Sequence, residues 1–494
     1  MENFIIKSYC NAALLLATAI VFKPASATTE EYLQLISTEN SKTVKAFTQN
    51  INLTQMVCIE SPAQDSKVDN CISLEQLIKP RQHRLEDFHA TSGYVEFPMV
   101  IDTQAAEQWL SGGEFTKQQR RRFLQTTATR LNQLSAQAFR EKLKQIDHSK
   151  RLSFTPIAIN NSLLVNVEPN QTENELLSKD SLMEFTTPIA DDQAVIGIID
   201  SGVSQYHRRL ANAKVLQFNP VENSHQIKDT AFGHATAILS LLAVDDNPST
   251  EKRLVENAQY LSCNGLPNAK YTFFSILQCM NWLFLAPRVD VVVNAWTAPK
   301  IGCVNSWRYP IALLFYANSI PVFAAGNYAT EKFDEKNMSR SPANLDFSNE
   351  DFTSLTVGAL SVKNGRLESS SYGESSCSPK HSSAKSHSKN NKHYQANLFA
   401  RGENLMVAVP FTKSSFQKVE GSSYAVVFVA AAVANLSREF PRASSKQISQ
   451  ALLETAKSVE SKTFEPATPA EYGYGILDYP KARERLLELY PASR

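Results

Sequence analysis

Hydrophobic and polar positions are arranged differently along successive parts of this chain. Residues 28–85 are mixed and weakly periodic, and the whole region 28–115 carries no pattern from which a role follows. From Thr116 the pattern sharpens. Leu124, Ala128, Leu131, Ala138, Lys142 and Ile146 fall near one helical face with Leu134, Phe139 and Leu143 beside them, so Lys117–Ile146 predicts one long amphipathic helix. Within it, Arg120-Arg121-Arg122 reads as a solvated face. Phe154–Val167 is rich in β-branched and aliphatic residues and predicts an extended piece ended by the turn Glu168-Pro169-Asn170. A short helix at Glu173–Leu177 and a second extended piece at Leu182–Phe185 complete a small α+β domain over 116–190. Its end, Thr186–Gln193, has a Pro and two acids and reads as an exposed linker.

Beyond the linker the pattern alternates. Ala194–Val203 reads AVIGIIDSGV, a short β-branched run of the kind that suits a strand buried on both faces of a parallel sheet. His234 opens a helical run, Ala235–Val244. Strands are expected at Tyr271–Phe274, Val289–Val293, Ile320–Ala325, Thr353–Leu360 and Asn404–Val409, and helices at Ser275–Leu285, Ile311–Ser319, Tyr424–Leu436 and Ser444–Val459. Strands alternating with helices in this way predict an α/β fold over 191–485, a mostly parallel sheet covered by helices on both faces. One tract breaks the alternation: 363–394 is dominated by Ser, Lys, His and Asn and reads as a flexible insertion.

Composition narrows the setting. A chain of 494 residues with 43% hydrophobic content can fill more than one core. Lys and Arg number 50 against 49 Asp and Glu, which supplies no field that would draw nucleic acid or an anionic membrane. Lys7, the short apolar run Asn11–Phe22 and Ala25-Ser26-Ala27 have the form of a secretory signal peptide over 1–27, so the mature chain is expected to be exported, periplasmic or secreted. No later segment is long and apolar enough to span a bilayer. Of seven cysteines Cys10 lies in this leader, and the remaining six, Cys58, Cys71, Cys263, Cys279, Cys303 and Cys377, permit up to three disulfides. Locality favours only Cys58–Cys71. No Cys-x-x-Cys occurs, and His381, His387 and His393 lack regular spacing with carboxylates, so no metal site is read from them.

Four polar residues stand at the ends of the apolar elements: Asp200, His234, Asn327 and Ser423. Acyl transfer needs such a set. A Ser hydroxyl becomes a nucleophile when a His takes its proton, a carboxylate fixes that His, and a side-chain amide can donate to the oxyanion. An α/β-hydrolase arrangement is excluded, because Gly421-Ser422-Ser423-Tyr424-Ala425 lacks the second Gly of its motif and no His follows Ser423.

These stretches carry a family resemblance. VIGIIDSGV, GHATAILSLLA, PVFAAGN and GSSYAVVFVAAAVANL, in this order, resemble the four motifs of subtilisin-like serine proteases, the subtilases. GLPNAK at Gly265–Lys270, SPA at Ser341–Ala343, LTVGAL at Leu355–Leu360 and YGYGILDY at Tyr472–Tyr479 are weaker echoes, so the likeness covers roughly 190–485. The resemblance implies a serine endopeptidase acting on protein or peptide substrates, with Asp200, His234 and Ser423 as the triad and Asn327 at the oxyanion. It also implies a groove bordered by Ala295, Trp296, Thr297, Ala325 and Gly326. The α+β domain resembles a subtilase propeptide, which would assist folding and inhibit the enzyme until cut, giving a self-processed zymogen. Calcium is frequent in the family, but no residues here match a site for it.

The chain also departs from the pattern. Ala235-Thr236-Ala237 follows His234 where the family has Gly-Thr-His, and Tyr424-Ala425-Val426-Val427 replaces Met-Ala-x-Pro after Ser423. Neither change removes a group that moves a proton, yet both motivate a rival reading, a catalytically silent subtilase-like binding protein. Trp296 and Thr297 stand in place of smaller or more flexible residues. They imply a reshaped primary pocket, unless Trp296 is ordinary core.

Overall fold

The computed structural model describes residues 52–59, 71–81, 94–97, 99–113, 115–144, 151–168, 189–190, 192–220, 224–225, 233–245, 247–250, 252–266, 273–298, 305–329, 340–345, 347, 352, 354–363, 365–373, 395–459 and 469–491. The leader, the elements expected at Glu173–Leu177 and Leu182–Phe185, and Cys303, Cys377, His381, His387 and His393 lie outside the described residues. The chain divides into two units, one of residues 1–115 and 122–184, the other of 116–121 and 185–494. Among the described residues no helix is long and apolar enough to cross a membrane.

In the first unit, β1 (Met56–Cys58) and β2 (Cys71–Ser73) run antiparallel and set Cys58 opposite Cys71, and their sulfurs are bonded. A one-turn helix, α1 (Leu74–Leu77), leads to β3 (Ile78–Pro80). β4 (Tyr94–Glu96) comes next, and β5 (Met99–Ile101) pairs with β3. Two helices follow, α2 (Thr103–Ser111) and α3 (Lys117–Lys144), the latter belonging to this unit from Arg122 onward. The single extended piece expected at Phe154–Val167 is corrected to two antiparallel strands, β6 (Arg151–Ile157) and β7 (Ser162–Glu168). The chain reverses at Asn161, whose φ of 48° is a left-handed conformation that Asn adopts more readily than most residues. β4 pairs with the free edge of β7, so residues from 28–115 and from 116–190 share one sheet. Leu124, Ala128 and Leu131 of α3 are buried, and Phe139 meets Phe97 and Phe154 edge-on at 6.0 and 6.2 Å.

The second unit is built on an eight-stranded sheet. β8 (Ala194–Asp200), buried at every residue, lies between β11 (Val291–Asn294) and β10 (Ala258–Asn264), with β9 (Lys214–Phe218) at that edge. On the other side of β11 come β12 (Ile320–Ala324), β13 (Leu355–Leu360), β14 (Leu398–Arg401) and β17 (Gly475–Ile476). Every pairing in this sheet is parallel. The sheet is flanked by helices α4 (His234–Ala243), α5 (Phe273–Leu285), α6 (Arg308–Tyr316), α7 (Ser422–Glu439) and α8 (Ser445–Glu454). This is the expected α/β architecture. Gly197 in the middle of β8 has a packing reason: a Cβ there would lie 2.9 Å from the Leu283 side chain of α5.

Three further expectations are corrected. Phe273 and Phe274 begin α5 rather than ending a strand, and the strand on that side is β10. Asn404–Val409 does form a strand, β15 (Leu405–Ala408), but it pairs only with β16 (Phe416–Val419) as a separate ribbon. The tract beginning at 363 is anchored as far as Gly373: Leu367 is buried, and Ser370 Oγ accepts from Ala359 N at 2.9 Å.

Arg121 is not solvated. It is 3% exposed and belongs to the second unit. Its guanidinium donates to the carbonyls of Leu283, Phe284 and Ala286 at the end of α5, to the Ala317 carbonyl just past α6, and to Ser319 Oγ, at 2.5–3.0 Å. The last carbonyls of a helix lack intrahelical partners and carry the negative end of its dipole, so one planar cation with five donors satisfies two helix ends together. Arg121→Ala strands those acceptors in a buried place. It is expected to cost the second unit about 3 kcal/mol, read as a fall in the urea midpoint at unchanged slope.

Candidate active site

In the second unit the sheet order reverses at β8, since the chain leaves it for β9 and β10 on one side and for β11 on the other. The crevice beyond the carboxyl ends of β8 and β11 is where an open α/β sheet binds ligands. Asp200, the last residue of β8, lies there fully buried. Gly233, with φ +61°, turns the chain into α4, and a Cβ at that position would sit 2.3 Å from Pro410 Cγ. His234 is therefore delivered as the first residue of the helix. Ala235 N donates to Ser201 Oγ at 3.3 Å, and Ser204 N to Thr236 Oγ1 at 2.9 Å, so the Asp-Ser-Gly stretch and the start of α4 interlock.

His234 Nδ1 lies 3.0 and 2.9 Å from the two carboxylate oxygens of Asp200. An ionised carboxylate only accepts, so Nδ1 carries the proton and Nε2 of the neutral ring keeps its lone pair. Burial by itself lowers the proton affinity of the imidazole. The charge and hydrogen bond of Asp200 outweigh it, and the pKa is raised above the ordinary 6.5. The Tyr424 ring stands 5.6 Å from the imidazole, and burial together with the negative charge of Asp200 pushes its hydroxyl up to about 12. Tyr424 thus stays neutral beside the imidazole.

Ser423 is the second residue of α7, entered through Gly421 at φ +133°. A Cβ on Gly421 would lie 2.9 Å from Asn327 Nδ2, so the close approach of these two segments needs glycine. Ser423 Oγ donates to the Ala295 carbonyl at 3.0 Å. Asn327, exposed just beyond β12, accepts from Ser422 N through Oδ1 at 2.9 Å, while Gly326 N donates to Ser422 Oγ at 3.1 Å. With Oδ1 engaged, Nδ2 is the donor end of the amide. The structure thus joins Asp200 to His234, Ser423 to Ala295, and Asn327 to the residue before Ser423. This set can take a proton from a hydroxyl and donate to a developing oxyanion.

A family model described as the subtilase family matches residues 191–475, more than half of the chain. The chain belongs to the subtilase family. It is therefore a serine-type peptidase. Solved structures similar to it include one of "Prenylagaramide maturation protease PagA", 16% identical over 60% of this chain and 94% of that one, TM-score 0.46. A single-residue mutant of the protease domain of PatA is 17% identical over 61% and 97%, TM-score 0.46. Fervidolysin from Fervidobacterium pennivorans is 14% identical over 60% of this chain and 43% of that one, TM-score 0.45. No curated protein gives a match.

The residues expected to border a groove lie largely beneath the surface. Ala295, Trp296 and Ala325 are 4%, 6% and 0% exposed. The Trp296 ring lies 5.7 Å from that of Trp307, which in turn lies 4.4 Å from Phe273, so the indole joins an interior aromatic cluster. Thr297 instead reaches across to Tyr328, their hydroxyls 3.1 Å apart. Tyr328 N donates to Ser371 Oγ, and a Cβ on Gly326 (φ +104°) would press on both Tyr328 and Ser371. Sequence reasoning passed over Tyr328 and Ser371 and met Tyr424 only as a departure from the family motif. Tyr328 adjoins Asn327 and Ser371 sits in the Ser-rich tract, so adjacency to Asn327 was the available signal. Among the described residues no group of three or more His, Cys, Asp or Glu side chains is placed to hold a metal ion.

Proposed function

We propose that this subtilase is an exported endopeptidase whose nucleophile is Ser423. The observation that carries the reading is the two-oxygen contact of Asp200 with His234 Nδ1, which leaves Nε2 basic at the crevice where α7 presents Ser423. The Ser423 hydroxyl turns from the Ala295 carbonyl, passes its proton to His234 Nε2, and its oxygen bonds to the substrate carbonyl carbon. The displaced electron pair becomes an oxyanion, held by Asn327 Nδ2 and the Ser423 backbone N–H. As this intermediate collapses, the C–N bond breaks and the leaving amine takes the proton from His234. Water then repeats the sequence on the acyl-enzyme. A fluorophosphonate is expected to label the wild type on Ser423 and to leave Ser423→Ala unlabelled; an unlabelled wild type would point instead to a silent binding protein.

Asn327→Ala is expected to lower kcat about 10²- to 10³-fold with KM little changed, because the amide acts on charge present only in the transition state. Steady-state kinetics on one peptide substrate checks this. The leader and the propeptide-like domain support synthesis as a zymogen cut within Thr186–Gln193. Intact mass should show a shortened wild type beside a Ser423→Ala protein that still begins near Thr28.

A further inference from the structure

Along 295–298 and 325–328, the chain just beyond the ends of β11 and β12, only Thr297, Asn327 and Tyr328 are open to solvent. Both stretches adjoin the nucleophile's turn. Ser423 donates to the Ala295 carbonyl, and Ser422 is bonded to Gly326 and Asn327. A carbonyl carbon at Ser423 Oγ, with its oxygen toward Asn327 Nδ2, therefore has the mouth between the two stretches beside it. That mouth is barred: the hydroxyls of Thr297 and Tyr328 bond across it at 3.1 Å.

The bar is held at both ends. On one side Ala298 N, next to Thr297, donates to the Ser341 carbonyl at 2.7 Å. On the other, Ser371 N donates to the Gly326 carbonyl (2.9 Å), Tyr328 N to Ser371 Oγ (3.2 Å) and Ala329 N to the Ser369 carbonyl (3.1 Å). The Tyr328 ring is also packed. The Arg340 guanidinium carbon stands 3.6 Å from its centroid, and a Cβ on Gly326 would meet ring carbons at 3.0 Å. Behind the bar Ala295, Trp296 and Ala325 are buried in a close-packed interior. A large side chain entering here has to break the hydroxyl pair and lift the ring off the guanidinium, losses that a methyl group does not impose.

We propose that the Thr297–Tyr328 pair restricts this subtilase to cleavage after small residues, glycine, alanine or serine. The proposal rests on Ser423 as nucleophile and Asn327 as oxyanion donor. A branched or aromatic side chain on the residue that supplies the scissile carbonyl runs into the bar. A hydrogen, a methyl or a hydroxymethyl group stops short of it.

The test is digestion of a mixed peptide library beside fluorophosphonate labelling, with the residue before each cut read by mass spectrometry. Two defined peptides that differ only in Ala or Phe at that residue then give a ratio of kcat/KM values. The wild type should label, should cut after Gly, Ala or Ser, and should favour the Ala peptide by on the order of 10². Thr297→Gly removes one hydroxyl and the volume that carries it, and should lower the ratio roughly tenfold. Tyr328→Phe breaks the same bond but keeps the ring, and should lower the ratio less. Each ratio is taken within one protein, so a general loss of activity cancels. A labelled wild type that cuts after large residues as readily as small ones, or cuts nothing, overturns the proposal whatever the variants do. A preference for small residues that both variants keep undiminished overturns the assignment to this pair. A wild type that neither labels nor cuts overturns the peptidase reading, and this inference with it.

Discussion

Ser423→Ala is expected to cut kcat about 10⁶-fold while leaving the fold intact. The substitution removes one oxygen, from a half-buried position in the first turn of α7, and puts the best helix former there. The hydrogen bond lost to the Ala295 carbonyl is a single neutral one, worth about 1 kcal/mol, so thermal unfolding should hardly move. His234→Ala should cost about as much as Ser423→Ala, and the double variant little more than either, if the two act as the proposed proton-transfer unit. Turnover per mole of purified protein for the wild type, both single variants and the double variant reads all three values. A Ser423→Ala enzyme within about tenfold of wild type would end the case for this nucleophile.

Asp200→Asn carries the second largest effect, a loss of about 10⁴ in kcat, and it also moves the pH profile. An amide can donate to Nδ1 where the carboxylate only accepted, which favours the tautomer whose Nε2 already bears a proton. With His234 as the proposed base the neutral ring would be the active form, so the acid limb of kcat/KM should lie above 6.5. Without the carboxylate only burial acts on the imidazole, and the limb should fall below 6.5. Stability runs the other way. A pKa raised by folding means that the charged His234–Asp200 pair stabilises the native state fully below the unfolded value near 6.5, and that this contribution is lost as pH rises through the folded value. The wild type should therefore gain activity and lose a little stability over one pH window. Asp200→Asn should show neither change there. Rate profiles and urea midpoints taken at the same pH values decide the matter.

Much of the sheet was legible because its central strands are continuous apolar runs: β8, β11, β12 and β13 fall within or close to where periodicity placed them. β10 was missed because Gln259, Tyr260 and Ser262 interrupt its apolar character, and its partners β8 and β9 override the local pattern. Leu398–Arg401 was hidden beside a Ser-rich tract whose composition masks the short strand after it. At the site, motif stretches marked Asp200, His234, Asn327 and Ser423, but nothing in one dimension says which charges will be buried. Arg121 reads as part of a solvated face. What buries it is a pair of helix ends brought together by folding.

The donors of Arg121 have a bearing on what a finished enzyme contains. Arg121 precedes the 186–193 linker in the chain, yet it completes the second unit. A cut in that linker would therefore divide one folded body between two polypeptides, with a piece of the shorter held only by hydrogen bonds and packing. The longer polypeptide, expressed alone from Ala194, is a split protein lacking a part. It should regain activity after denaturation only when a fragment spanning the start of α3 is supplied in trans, and a fragment carrying Arg121→Ala should fail to complement it.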